Sequence, residues 1–226
     1  MTLTDRLAHF FESIGADWIM YLLLALLLLS LVVMVERLLF FRRNRVDPVA
    51  LSKTVIQAVR EGGPERARER LAGVGGMTGG VLHAALDAWD DGVDAVEEVI
   101  QAAIGRERIL YDKWLPVLGT LGNSAPFIGL FGTVIGILTA FSTLAGGLEG
   151  AALKKEVMGA IGEALVATAV GLGVAIPSVV GFNAFKSRIK RMATDTDGVA
   201  RLLLAHLKAR GRSHDGAGSV ASSGGR

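Results

Sequence analysis

Three side chains in this 226-residue sequence combine reactive chemistry with apolar surroundings: Thr133, Thr168 and Glu163. Glu163 is the only ionisable residue in the stretch from Val157 to Phe185. A carboxylate in hydrocarbon costs several kcal/mol unless it is paired, protonated or open to water. Burial favours its neutral form, so such a group is held neutral or cycles between states. The simpler alternative is solvation at an outer interface, because Glu163 lies only roughly 9 Å along a helix from the start of its block. Threonine has its own alternative, a hydroxyl bonded to a carbonyl one turn back in the same helix. A hydroxyl both donates and accepts, so two of them beside a carboxylate can support a proton-conducting chain of water. No basic residue accompanies them, which disfavours an anion path. Ser124, Ser142 and Ser178 also lie in apolar stretches, but His9, His83, His206 and His214 do not. A serine without a base is inert as a nucleophile, so the residues do not read as an enzyme. With no cysteine, neither a disulfide nor a Cys-based metal site is possible, and no metal or cofactor is expected.

The elements that must hold these residues are long apolar blocks. Hydrophobic residues make up 51% of the chain, and they are concentrated where a span of about 20 residues can cross a hydrocarbon layer of about 30 Å. The first block runs from Trp18 to Val35, extended by Leu38 to Phe41. Asp5, Glu12 and Asp17 precede it, and Arg37, Arg42, Arg43 and Arg45 follow. A secretory signal has the reverse order of charge, so this is a stop-transfer pattern. The second block carries no charge from Trp114 to Leu148, longer than a bilayer needs, and the third runs from Val157 to Phe185. Arg106, Arg108 and Lys113 before the second, and Lys186, Arg188, Lys190 and Arg191 after the third, fall on the same side as the first cluster. The positive-inside rule then gives an N-out, C-in topology.

The expected fold is all-α, a polytopic membrane protein with three transmembrane helices and long helices extending into the cytoplasm. Its segments are a periplasmic amphipathic stretch (1–17), a first span (18–41), a cytoplasmic helical domain (42–113), a second span (114–145), a periplasmic loop (146–158), a third span (159–185), a cytoplasmic helix (186–208) and a disordered tail (209–226). Within the cytoplasmic domain, Pro48–Glu61 and Pro64–Leu71 read as short helices with proline in the first turn. The Gly73–Gly80 stretch reads as a linker; it lacks the Gly-Lys-Ser/Thr ending of a phosphate loop. Leu82, Leu86, Trp89, Val93, Val96, Ile100 and Ile104 recur at helical spacing, which predicts one amphipathic helix from Val81 to Lys113 running into the second span.

Helices in lipid associate through small residues that let backbones approach. The second span carries Gly122, Ala125, Gly129, Gly132, Gly136, Thr139 and Thr143 on one face; the third carries Ala160, Ala164, Thr168, Gly171, Ala175 and Ser178. The first span is nearly all Leu and Val and reads as a lipid-facing, peripheral helix.

Two strings then bear a family resemblance. APFIGLFGTVIGILTAF (Ala125–Phe141) and IGEALVATAVGLGVAIPSVVGFNAF (Ile161–Phe185) resemble the paired signatures of the ExbB/TolQ/MotA proton-channel family, closest to its ExbB/TolQ-like branch because three spans replace the flagellar branch's four. Gly181 and Phe182 depart from the bulkier and Tyr-like residues usual before Asn183. The resemblance implies a homopentamer in the bacterial inner membrane, around a pore that encloses helices of an ExbD/TolR-like single-span partner carrying a transmembrane Asp. It implies that Thr133, Thr168 and Glu163 line the pore, and that Pro126, Gly129, Gly132, Gly136, Gly171, Pro177 and Asn183 are structural motif positions. The implied function is a stator subunit using the proton motive force to energise TonB-type transport across the outer membrane, with a TonB-like or TolA-like protein as a further partner and no nucleic acid. Tol-type envelope maintenance or a surface-motility motor is the alternative within the family. A membrane scaffold that conducts no ions is the alternative outside it.

Overall fold

The computed structural model describes residues 17–145 and 150–222, and the side chains of 18–144 and 150–209. Most of the expected N-terminal segment (1–16), the start of the expected loop (146–149) and the end of the expected tail (223–226) lie outside the described residues. The described residues form six α-helices: α1 (Asp17–Arg43), α2 (Pro48–Leu71), α3 (Gly76–Asp87), α4 (Val93–Asp112), α5 (Leu115–Ala145) and α6 (Gly150–Ser222), with a 3-10 turn at Trp89–Asp91. Three of the helices are long and apolar enough to cross a membrane. The described residues are thus all-helical, with no strand among them, and fit a polytopic membrane protein. The chain divides into two units, one of residues 17–38 and 114–185, the other of 39–113 and 186–222.

In the second unit, local chemistry sets the helix ends. Asp47 caps α2, its Oδ1 accepting from the Val49 and Ala50 amides at 2.9 and 3.2 Å, with Pro48 in the first turn. Gly62 and Gly63 break α2 internally, Gly63 with φ +74°, and Pro64 restarts it. The two short helices expected here are therefore two limbs of one kinked helix. The Gly73–Gly80 stretch is a linker only as far as Gly75, since α3 already begins at Gly76. Tyr111 makes that start possible: its hydroxyl accepts from the Met77 amide at 3.0 Å, a donor with no partner inside the helix.

The single helix expected from Val81 to Lys113 is not formed. It is α3, the 3-10 turn and α4, parted by Gly92 at φ +95°, which L side chains rarely adopt. A second break separates α4 from α5, where Lys113 is extended and Trp114 has φ +67°. The apolar stripe nevertheless lies inside: Leu82, Leu86, Trp89, Val96, Ile100 and Ile104 are all buried. The core also holds a polar pair, the Thr78 and Thr196 hydroxyls, which meet at 2.9 Å. Aromatic rings close one end, Phe40 and Phe41 lying 5.1 and 5.6 Å from Tyr111 with the Arg188 guanidinium 5.4 Å above Phe41.

In the membrane unit, α1 does not lie apart from the other helices. Ile19 and Leu23 are fully buried with Ile135, and Leu26 and Leu27 pack on Ala125, Val174 and Ala175. Most of its remaining leucines and valines are exposed, as a lipid-facing surface requires. The third apolar helix starts at Gly150, so residues 150–158, expected as loop, are its first turns. It continues without a break to Ser222, so the backbone of residues 209–222, expected as disordered tail, is helical.

A glycine-lined helix pair as candidate proton path

The candidate site is the packing of α5 against α6. A Cβ built at Gly129 would stand 2.9 Å from the Ala167 carbonyl oxygen and 3.3 Å from the Gly171 Cα; one at Gly171 would stand 2.7 Å from the Ala125 oxygen. Backbone therefore meets backbone, and no larger residue fits without displacement. Gly122 faces Val179, Gly132 faces Ala167, and Gly136 faces Ala160 and Ala164. Partner numbers fall along α6 as they rise along α5, so the two helices run antiparallel. The small-residue stripes read from the sequence are the surfaces in contact, with Ala125, Ala164, Ala175 and Ser178 all buried. Pro126 and Pro177 interrupt the hydrogen-bond ladders of these two helices, while Asn183 is exposed on α6.

The two threonines sit at this crossing. Thr168 Oγ1 donates across the interface to the Gly129 carbonyl oxygen at 3.1 Å. Thr133 Oγ1 donates within α5 to the Leu130 oxygen at 2.6 Å, the local bond threonine often makes. Each is half-buried. Thr133 follows Gly129 by four residues and precedes Gly136 by three, so it is rotated about 40–60° from the contact line. Thr168 stands in the same relation to Ala164 and Gly171. In an antiparallel pair equal rotations point to the same side, which puts both threonines on one flank of the contact at the same level. Because each hydroxyl proton is already given to a carbonyl, each oxygen offers lone pairs to that flank.

Glu163 is not on this flank. It precedes Thr168 by five residues, about 140° around α6. Val170, seven residues on and nearly in line with Glu163, packs against Ile19, Leu23 and Ile135, so the carboxylate is on the side of α6 that faces α1. It lies toward the Ala145 end of α5 and is exposed. By helical geometry Thr133 and Thr168 share one flank, and Glu163 is turned about 140° from Thr168. Among the described residues, no group of three His, Asp or Glu side chains could hold a metal ion.

One polar contact in this unit escaped the sequence reading. Ser30 of α1 and Ser178 of α6 are fully buried and joined at 2.7 Å. The available signal was a lone serine within the Leu- and Val-rich first span.

Comparison with known proteins bears on the same helices. The Tol-Pal system protein TolQ of Pseudomonas aeruginosa is 43% identical over 96 residues, covering 42% of this chain and 41% of that protein. The biopolymer transport protein ExbB of Xanthomonas campestris pv. campestris is 43% identical over 90 residues, 40% of this chain and 35% of its own length. ExbB of Neisseria gonorrhoeae is 44% identical over 97 residues, 43% of each chain. The matched stretch spans less than half the length of each relative. The model of the MotA/TolQ/ExbB proton channel family matches residues 76–197. That is more than half of the chain, it contains α3 to α5 and the glycine-lined face of α6, and on it the chain belongs to the MotA/TolQ/ExbB proton channel family.

Proposed function

We propose that this chain is the proton-channel subunit of an inner-membrane motor that uses the proton motive force, with Thr133 and Thr168 lining the path. The observation that carries this reading is the pair of hydroxyls on one flank of the Gly129–Gly171 contact, inside the family-matched region. In the proposed assembly, a homopentamer with N-out, C-in protomers, that flank lines the pore. A single-span partner of the ExbD/TolR type inside the pore supplies the transmembrane Asp that takes and releases the proton. The threonine oxygens accept hydrogen bonds from water or from that protonated Asp. Glu163, about 140° around α6 from Thr168 and exposed nearer the Ala145 end, is proposed to act beyond the hydroxyl pair rather than beside it.

The process driven is proposed to be TonB-type transport across the outer membrane. The relative named TolQ supports Tol-type envelope maintenance as the second reading. Deleting the gene and comparing growth on chelated iron, detergent sensitivity and motility separates them. The TonB-type reading expects poor growth on chelated iron with normal detergent resistance. Normal growth combined with detergent sensitivity would replace it with the Tol-type one. A scaffold that conducts no ions predicts that Thr168→Val and Glu163→Gln matter no more than Ser142→Ala.

A further inference from the structure

Ser30 is a polar residue within a span of Leu and Val, and it is fully buried with its Oγ 2.7 Å from Ser178 Oγ. The direction of this bond is set by a second one. Ser178 Oγ donates to the Val174 carbonyl oxygen at 2.7 Å, so its only proton is engaged and Ser30 must be the donor between the two serines. Ser178 directly follows Pro177, which has no amide proton and leaves the Gly173 carbonyl without its bond inside α6. α6 is therefore one backbone bond short where α1 takes hold of it. The surrounding contacts are close as well. Leu26 and Leu27 pack on Val174 and Ala175, and a Cβ at Gly181 would stand 3.0 Å from Met34 Sδ.

From Ser178 to Thr168 is ten residues, about 15 Å of the same helix. The Thr168–Gly129 contact tolerates little displacement, because backbone already touches backbone there. We infer that Ser30 is a positioning residue: its hydrogen bond ties α1 to α6 at the Pro177 turn, makes the two helices move as one body, and so holds Thr168 in place against Gly129. The functional half of this inference rests on the proton-path reading above. It changes the part played by α1, from a passive lipid-facing helix to a brace on the conducting one.

Because the chain has no cysteine, a Ser30→Cys/Ser178→Cys pair can test the tie without background. The two hydroxyl oxygens meet at 2.7 Å, so cysteine sulfurs at these positions start close to each other, and cross-link yield on gels reports whether the bond forms. Proton flux would be measured on complexes purified intact from membranes and placed in liposomes, normalised to assembled complex. Ser30→Ala is expected to lower flux about threefold or more, the loss of one interhelical bond in lipid, without lowering the yield of complex. The reduced cysteine pair should show a similar loss, and oxidation with iodine should restore flux to near wild type. If Ser30→Ala fails to assemble, the cysteine pair decides by itself. Wild-type flux in both Ser30→Ala and the reduced pair would overturn the inference, as would an oxidised pair that forms the disulfide and stops conducting, since the helices would then have to slide. Wild-type flux in Thr168→Val would instead remove the proton-path reading, leaving cross-link yield on gels to report whether α1 and α6 are tied.

Discussion

A threonine hydroxyl has one proton and two lone pairs, and at Thr168 the proton is committed to the Gly129 carbonyl oxygen 3.1 Å away. Thr168→Val keeps the shape and removes the hydroxyl; Thr168→Ser keeps the hydroxyl. The bond itself is expected to contribute only about 0.6 kcal/mol to stability, an average for such bonds in lipid. Valine should therefore leave the complex assembled and lower proton flux at least about tenfold, as expected when a positioned hydrogen-bonding group is lost, while serine conducts. Glu107 of α4 gives a prediction of another kind. Burial holds its carboxyl above the ordinary range, with the neighbouring Arg106 charge opposing that shift. Gly80 makes the room, since a Cβ there would stand 2.7 Å from Glu107 Oε1. A carboxyl with a raised pKa binds its proton more tightly in the folded chain, so stability falls as pH rises from the ordinary carboxylate value through the raised one. Glu107→Gln should raise the melting temperature at pH 7.5 and leave it nearly unchanged at pH 4, which a pair of thermal melts can check.

At the scale of elements, the sequence was informative wherever a residue type acts locally and silent where a break keeps the period. Pro48, Gly62, Gly63 and Pro64 marked the kinked α2 correctly because proline and glycine restrict or free the backbone they occupy. Gly92 was missed because the spacing of Trp89, Val93 and Val96 continues through it as though the helix did. The 3-10 turn preserves the buried stripe while redirecting the chain. The break at Lys113–Trp114 was missed although Pro116 stands in the first turn of α5, as Pro48 does in α2; the φ of +67° at Trp114 itself has no signal in the residue type. The contact of α5 with α6 was legible as small-residue stripes, but its register was not; that depends on which backbone atoms meet. Gly171→Ala should destabilise the protein by about 1–3 kcal/mol, because its Cβ would stand 2.7 Å from a backbone oxygen. Gly173→Ala, two residues away with nothing within 4 Å, should be neutral or stabilising by up to about 1 kcal/mol. Thermal unfolding of the two variants in detergent distinguishes them, and equal losses would contradict the packing described.

For the whole molecule, block lengths alone gave three apolar helices, and two strings gave the family; both agree with the structure and the comparisons. What the strings could not give was the direction each residue faces. The resemblance implies that Thr133, Thr168 and Glu163 all line the pore, and five residues of helix turn Glu163 about 140° from Thr168, so the two would meet it at different angles. The proposed N-out, C-in topology is checked by labelling a single cysteine in this cysteine-free chain. Thr54→Cys, exposed on α2, should react with a membrane-impermeant maleimide in inverted vesicles and stay unlabelled in intact spheroplasts. The most direct test of the central claim is proton flux through the intact complex in liposomes under an imposed membrane potential, comparing wild type with Thr133→Val/Thr168→Val. The paired hydroxyls predict that the double variant assembles normally and conducts at the rate of empty liposomes. Conduction at the wild-type rate would place the proton path somewhere other than the flank these two threonines share.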